Sequence, residues 1–177
     1  MRRTAATLLC ALLTTLAWAY DIKAGSLCYD IAGSELTVVQ SDEPYEGYIV
    51  IPDQVEVGGN MLSVTAIGAK AFNACLSLSG VKLPATLRVI GPQAFASCQK
   101  LNNITLPEGL TAIGDAAFYG CRSMTEIAIP ASVATIGSEA FVACSSMKAI
   151  AVAPENKFYS SVAGVLFDKE RLTLLAF

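Results

Sequence analysis

The sequence predicts an α/β repeat fold, a solenoid of stacked coils, and three observations carry that reading. The string I-G-x-x-A-F recurs at Ile67 to Phe72, Ile90 to Phe95, Ile113 to Phe118 and Ile136 to Phe141, each copy 23 residues after the last. Inside each period the apolar pattern switches from alternation to helical spacing. The residues ahead of the first copy do not repeat, as expected of a cap over the open end of a stack.

Composition narrows the function classes. Of the 177 residues 54% are apolar and only 15% charged, against roughly 25% charged in an average soluble domain. No apolar run reaches the ~18–20 residues of a membrane-spanning helix, and high hydrophobicity is the opposite of the signature of disorder. There is no histidine, which removes the usual general base near neutral pH, Ser-His and Cys-His pairs, and imidazole metal ligands.

The first residues read as an address. Arg2 and Arg3 precede an apolar stretch from Ala5 to Leu16 and then Ala17-Trp18-Ala19, the layout of a secretory signal peptide cut after Ala19. Cys10 is preceded by Leu9, not by the small residue a lipid-attachment site needs, and the Arg2-Arg3 pair is only a weak twin-arginine signal. Residues 1–19 hold two of the 12 basic residues and none of the 15 acidic ones, so the mature net charge is −5. With no basic stripe, nucleic acid and anionic lipid are poor partners.

The repeat divides the chain into units 64–86, 87–109, 110–132 and 133–155. Three residues after each Phe stands a cysteine, at Cys75, Cys98, Cys121 and Cys144, followed by Leu78, Leu101, Met124 and Met147. The pairs Val81/Leu83, Ile104/Leu106, Ile127/Ile129 and Ile150/Val152 come next. Their alternation with polar residues marks a short strand with one buried face, and Pro84, Pro107 and Pro130 end it because proline has no amide hydrogen for a ladder. In Gly91 to Cys98 the apolar spacing becomes helical, with Pro92 suited to a first helical position. Each unit is therefore expected to run strand, turn, short helix, turn. The glycine column at 68, 91, 114 and 137 calls for positive φ or a close backbone approach. Stacked coils place Phe72, Phe95, Phe118 and Phe141 in one buried column, the spine opposite the sheet, and the four cysteines in another.

The unit L-x-x-I-x-L-P-x-x-L-x-x-I-G-x-x-A-F-x-x-C resembles the bacterial BspA-like leucine-rich repeat. Leu101, Ile104, Leu106-Pro107, Leu110, Ile113-Gly114, Ala117-Phe118 and Cys121 match it column by column. The resemblance implies a right-handed leucine-rich-repeat solenoid, with short parallel strands on the concave side and short helical segments on the other. It also implies a secreted or cell-surface protein that binds other proteins, often in adhesion to host or extracellular-matrix components.

The flanks differ from the repeats. In the N-terminal cap, residues 20–63, Leu27 to Ile31 and Glu35 to Val39 form an expected hairpin about Ala32-Gly33-Ser34. Tyr48 to Pro52 resembles the strand of a degenerate first repeat, and Val55 to Val57 with Met61 to Thr65 suggests a second hairpin about Gly58-Gly59-Asn60. In the extension, residues 156–177, Asn156 to Ser161 reads as a loop. Gly164 to Phe167 and Leu172 to Phe177 read as hairpin strands about Asp168-Lys169-Glu170. The chain stops within an apolar run, the expectation being a truncated protein.

Chemistry-bearing constellations are few. Secretion favours disulfides, but parallel side chains in a column do not point at one another. The four cysteines are thus expected as buried free thiols, with Cys28 free or paired to another chain. Zinc lacks a C-x-x-C pair. Glu108, Asp115, Glu126 and Glu139 are scattered, no carboxylate pair suits glycoside hydrolysis, and neither nucleophile nor phosphate-loop motifs occur. No enzyme activity, metal or cofactor is expected. Asn103-Ile104-Thr105 is a glycosylation sequon that has meaning only in a eukaryotic secretory pathway.

Solenoids commonly bind through the concave sheet face. There the alternation turns Gly80 and Lys82, Asn103 and Thr105, Glu126 and Ala128, and Ala149 and Ala151 outward. Lys82, Asn103, Thr105 and Glu126 are the candidate binding residues, on a face without aromatic anchors, Tyr119 and Tyr159 being exposed elsewhere. The alternatives to adhesion are a structural spacer presenting another module and, less favoured, an enzyme acting on glycans.

Overall fold

The computed structural model describes residues 20–169 and 174–176; the expected leader lies outside them. Every regular element among the described residues is a β-strand. The N-terminal region contains β1 (Ile22–Ala24), β2 (Leu27–Ala32), β3 (Glu35–Val39), β4 (Gly47–Val50), β5 (Gln54–Val57) and β6 (Asn60–Ile67). The repeats contribute β7 (Leu78–Lys82), β8 (Val89–Ile90), β9 (Asn103–Ile104), β10 (Ala112–Ile113), β11 (Glu126–Ile129), β12 (Thr135–Ile136) and β13 (Ala149–Val152). The chain then forms β14 (Tyr159–Val162), β15 (Val165–Asp168) and β16 (Leu174–Ala176).

Each coil carries two strands instead of one. The alternating Leu-x-x-Ile-x-Leu segment forms one parallel side, with β4, β7 and β9 in one sheet and β11 and β13 in another. The residues ending in the Ile-Gly pair form a second side. There β6, β8, β10 and β12 pair in parallel, Ile67 with Ile90, Ile90 with Ile113 and Ile113 with Ile136. This ladder continues into the cap through β3, which pairs in parallel with β6, while β2 and β1 add antiparallel. The second strand escapes a reading by alternation because it is two residues long, too short to show a period.

The expected helical segments are turns, and the reason is conformational. In each coil two positions have positive φ: Lys70 and Ala74, Gln93 and Ser97, Ala116 and Gly120, Glu139 and Ala143. Residues in this left-handed region interrupt an α-helix. The backbone bonds outward instead. The amides of Phe72, Phe95 and Phe118 donate to the carbonyls of Ala94, Ala117 and Ala140 in the next coil at 2.7–2.8 Å. Intervening amides close local turns, as where Asn73 N donates to Lys70 O at 3.0 Å. The turn side is therefore a third intercoil ladder, and it needs no helix to satisfy its polar groups.

The core is columnar. Phe72, Phe95, Phe118 and Phe141 are buried and stack ring on ring, with centroids 5.0, 5.3 and 5.6 Å apart and planes within 6° of parallel. Tyr45 closes the N-terminal end of the stack at 4.7 Å from Phe72. Its hydroxyl donates to Val39 O at 2.9 Å and accepts from Cys28 N at 3.1 Å. The glycine column serves close approach and not positive φ: a Cβ on Gly114 would lie 2.5 Å from Pro92 N, and one on Gly137 2.4 Å from Asp115 N.

The C-terminal extension departs from expectation at its start, while its last two strands, β15 and β16, pair antiparallel as expected. Tyr159 to Ser161 is not a loop but belongs to β14, whose partner β15 is antiparallel with register Tyr159↔Asp168 to Val162↔Val165. The first hairpin thus turns at Ala163-Gly164, and β16 pairs on the other edge of β15. Asn156 takes the buried place held by Leu87, Leu110 and Val133 in earlier coils. Its amide donates to Pro130 O and Val133 O at 2.8 and 2.9 Å, and its oxygen accepts from Phe158 N and Tyr159 N at 2.8 Å each.

Candidate functional site: the outer face of the repeat strands

Register between strands decides which side chains share the exposed face. Tyr48 lies across from Gly80 and Val50 from Lys82, while Gly80 lies across from Asn103. Further along, Glu126 lies across from Ala149 and Ala128 from Ala151. Rows of facing residues result, Tyr48-Gly80-Asn103 and Val50-Lys82 in the first sheet and Glu126-Ala149 and Ala128-Ala151 in the second. They stand on inward columns beginning at Ile49 and Ile51, so the platform is fixed by the core beneath it.

Lys82, Thr105 and Glu126 are exposed, whereas Gly80 is buried. The side chain of Asn103 lies outside the description; its backbone sits in β9. Lys82 and Thr105 share a depression of about 610 Å³ with Tyr48, Val50, Pro52 and Asp53. Thr105 also borders a second depression of about 350 Å³ with Glu126, Ala128 and Ala151. The face thus joins Lys82, Thr105 and Glu126, with Thr105 in the middle. Asp53, at the rim, is held in place because one carboxylate oxygen accepts from Ala85 N at 2.7 Å.

The face does carry an aromatic residue. Tyr48 is 54% exposed and Val50 56%, which corrects the expectation of a surface without anchors. The signal was in the sequence: once Tyr48 to Pro52 is aligned with Gly80 to Pro84, alternation alone turns Tyr48 and Val50 outward. Tyr159, conversely, is buried, with its hydroxyl accepting from Ile136 N at 2.8 Å.

The cysteines and Asp115 hold structure. All five cysteines among the described residues are buried and free, Cys28 included. Cys98, Cys121 and Cys144 donate their thiols to the carbonyls of Phe72, Phe95 and Phe118 in the preceding coil, at 2.9, 3.2 and 3.1 Å. Burial pushes the Cys98 thiol up to about 12, and neighbouring Cys75 adds to the shift. Burial raises Cys75, Cys121 and Cys144 as well. Thiols held protonated are poor nucleophiles and poor metal ligands. Asp115 ties its coil to the next by accepting from Ser138 N at 2.7 Å, while Glu108 and Glu139 are exposed on other sides of their coils. Among the described residues no three potential metal ligands gather in one place. No helix there is long and apolar enough to cross a membrane.

Comparison with known proteins agrees with this architecture. A family model of the BspA type leucine rich repeat region matches residues 65–173 in six copies. The crystal structure of a leucine-rich repeat protein from Bacteroides capillosus is 32% identical with a TM-score of 0.68, the match covering 75% of this chain and 97% of that one. One from Bacteroides ovatus is 29% identical with a TM-score of 0.57, covering 74% of this chain and 41% of that one. The leucine rich repeat protein of T. pallidum is 28% identical with a TM-score of 0.54, covering 69% and 66% respectively. No curated protein sequence matches the chain.

Proposed function

Because the chain belongs to the BspA-type leucine-rich-repeat family, we propose that it is a secreted or surface-displayed solenoid that binds a partner protein through the outer face of its repeat strands. The partner we favour is a host or extracellular-matrix component. One observation carries the reading: Tyr48, Val50, Lys82, Thr105 and Glu126 lie on one exposed side of the repeat strands over a buried core, with Thr105 bordering both depressions, and mix aromatic, apolar and charged groups. Protein interfaces are built from such mixtures, with aromatic anchors at their centres. Extended surface and repeated display, more than a deep pocket, then supply affinity. Export rests on the leader features of residues 1–19.

Binding of immobilised protein to purified matrix proteins tests the reading. Saturable binding weakened at least about tenfold by Tyr48→Ala combined with Lys82→Glu supports it, a loss in the range of an interface hot spot. Binding indifferent to both changes refutes the assignment to this face. A spacer that presents another module is the second reading, favoured by the small side chains of Ala128, Ala149 and Ala151, and a folded protein without saturable ligand would leave it standing.

A further inference from the structure

We propose that the free edge of β4 is a strand-addition site for an extended segment of a partner protein, apolar in its middle and basic at both ends. The proposal rests on the protein-binding reading only in taking the ligand to be a polypeptide.

A parallel sheet exposes unpaired amides and carbonyls at its ends, and of the four outermost ends of the two strand sides of the stack three are occupied. At β12, Ile136 N donates to the Tyr159 hydroxyl. At β13, Ile150 N donates to Gly164 O at 2.8 Å and Val152 N to Ser161 Oγ at 3.1 Å. At the N-terminal end of the second side, β3 is covered by β2 and β1, and the outermost strand carries Lys23, a usual guard on an edge. The fourth end is β4. Among the described residues it pairs with β7 alone.

The free groups on that edge can be named. Ile51 N donates to Lys82 O at 3.0 Å, so Ile51 and Ile49 direct their backbone groups towards β7. Alternation then turns the N–H and C=O of Tyr48 and Val50 the other way, to the open side. The same two residues are the half-exposed apolar side chains of the face. In strand addition, backbone bonds provide the affinity and alternate side chains the selectivity, and both are offered here by one pair of residues.

Charge selects the occupant. Glu43 and Glu46 are exposed before the strand and Asp53 after it. Glu46 to Asp53 spans about 23 Å at ~3.3 Å per residue, so a segment of about seven residues with a cation at each end would meet an acid at both. A second copy of this chain fits badly: antiparallel pairing of β4 with itself, Tyr48 opposite Val50, would bring the acidic Glu46 end of one copy against the acidic Asp53 end of the other, and like charges brought together across strands destabilise. Pro44 and Pro52 bound the strand, which limits indiscriminate pairing.

The test uses a fluorescent seven-residue peptide of alternating threonine and valine with lysine at both ends, and the same peptide with glutamate at both ends. Val50→Pro removes an outward amide without touching a bond to β7, and Val50→Lys keeps the backbone while repelling the basic ends. The lysine peptide should bind at low salt and slow amide exchange at Tyr48 and Val50. Each variant, and the glutamate ends, should weaken binding at least about tenfold. Equal binding of a version N-methylated along the facing edge would overturn the proposal, as would unchanged exchange at those amides or no binding. Peptide-free dimers with the same amides protected would overturn the choice of occupant. Saturable matrix-protein binding by a protein that takes up no lysine peptide would leave the proposed function intact and sink only this inference.

Discussion

Replacing Gly114 with alanine should be among the most damaging single-atom additions to this protein. The new Cβ would stand 2.5 Å from Pro92 N, 2.7 Å from Gly91 C and 2.9 Å from Pro92 Cα, where 3.4–4 Å is ordinary contact. All three are backbone atoms, and hydrogen bonds clamp the same corner: Gly114 N to Ile90 O and Gln93 N to Asp115 O, both 2.8 Å. Relief requires opening the two coils by about 1 Å, which a side-chain rotation cannot supply. Overpacking costs roughly 1–3 kcal/mol when side chains can adjust, and stretching two intercoil bonds adds about 1 kcal/mol each. The expected loss is about 3–5 kcal/mol, a large share of the ~5–15 kcal/mol that holds a domain folded. Urea unfolding followed by far-ultraviolet circular dichroism measures it. Gly120→Ala is the control: its φ is +69°, but the nearest atoms to a new Cβ are 3.8 Å away, so only the left-handed backbone cost of about 1–2 kcal/mol applies. A Gly114→Ala loss below about 1 kcal/mol, or one smaller than that of Gly120→Ala, would refute the close-approach account.

Other outcomes follow from the same columns. Phe118→Ala should cost about 3–5 kcal/mol in equilibrium unfolding, because the ring is buried between Phe95 and Phe141. Asn156→Ala should cost about 3 kcal/mol or more, since it strips partners from the amides of Phe158 and Tyr159; faster hydrogen exchange there reports the cause. The thiols make the fold alkali-sensitive. Burial raises Cys98 from the ordinary 9.0 to about 12, so the unfolded chain loses this proton first, and stability should be full below pH 9 and fall as pH rises towards 12. Stability unchanged across that window would refute the buried-thiol account. Native protein at pH 8 should likewise resist maleimide until denatured.

The path from residues to fold was open where the repeat is dense. Phe95, Cys98, Leu101 and Ile104 announce a stack because only an intercoil neighbour can bury them, and no lone coil can. Local structure was harder. Ala74, Ser97 and Ala143 hold positive φ without being glycine, and nothing in their side chains signals it; the intercoil ladder imposes that conformation. The apolar i, i+1, i+4 spacing therefore mimicked a helix where the chain makes turns. The proposed binding face was half legible: Lys82, Thr105 and Glu126 follow from alternation, and Tyr48 was available to the same logic.

Sequence by itself determined the 23-residue coil, the buried columns of phenylalanine and cysteine, and the glycine column, because each repeats often enough that stacking is the only way to bury it. Tertiary structure alone decided the rest. It chose close approach over positive φ for the glycines and turned the helical-looking segments into a bonded ladder. It also showed which strand ends find partners and which do not. The glycine approaches and the turn ladder are contacts between residues 22 to 26 apart in the chain, and their energies belong to the stack, not to any local run of residues.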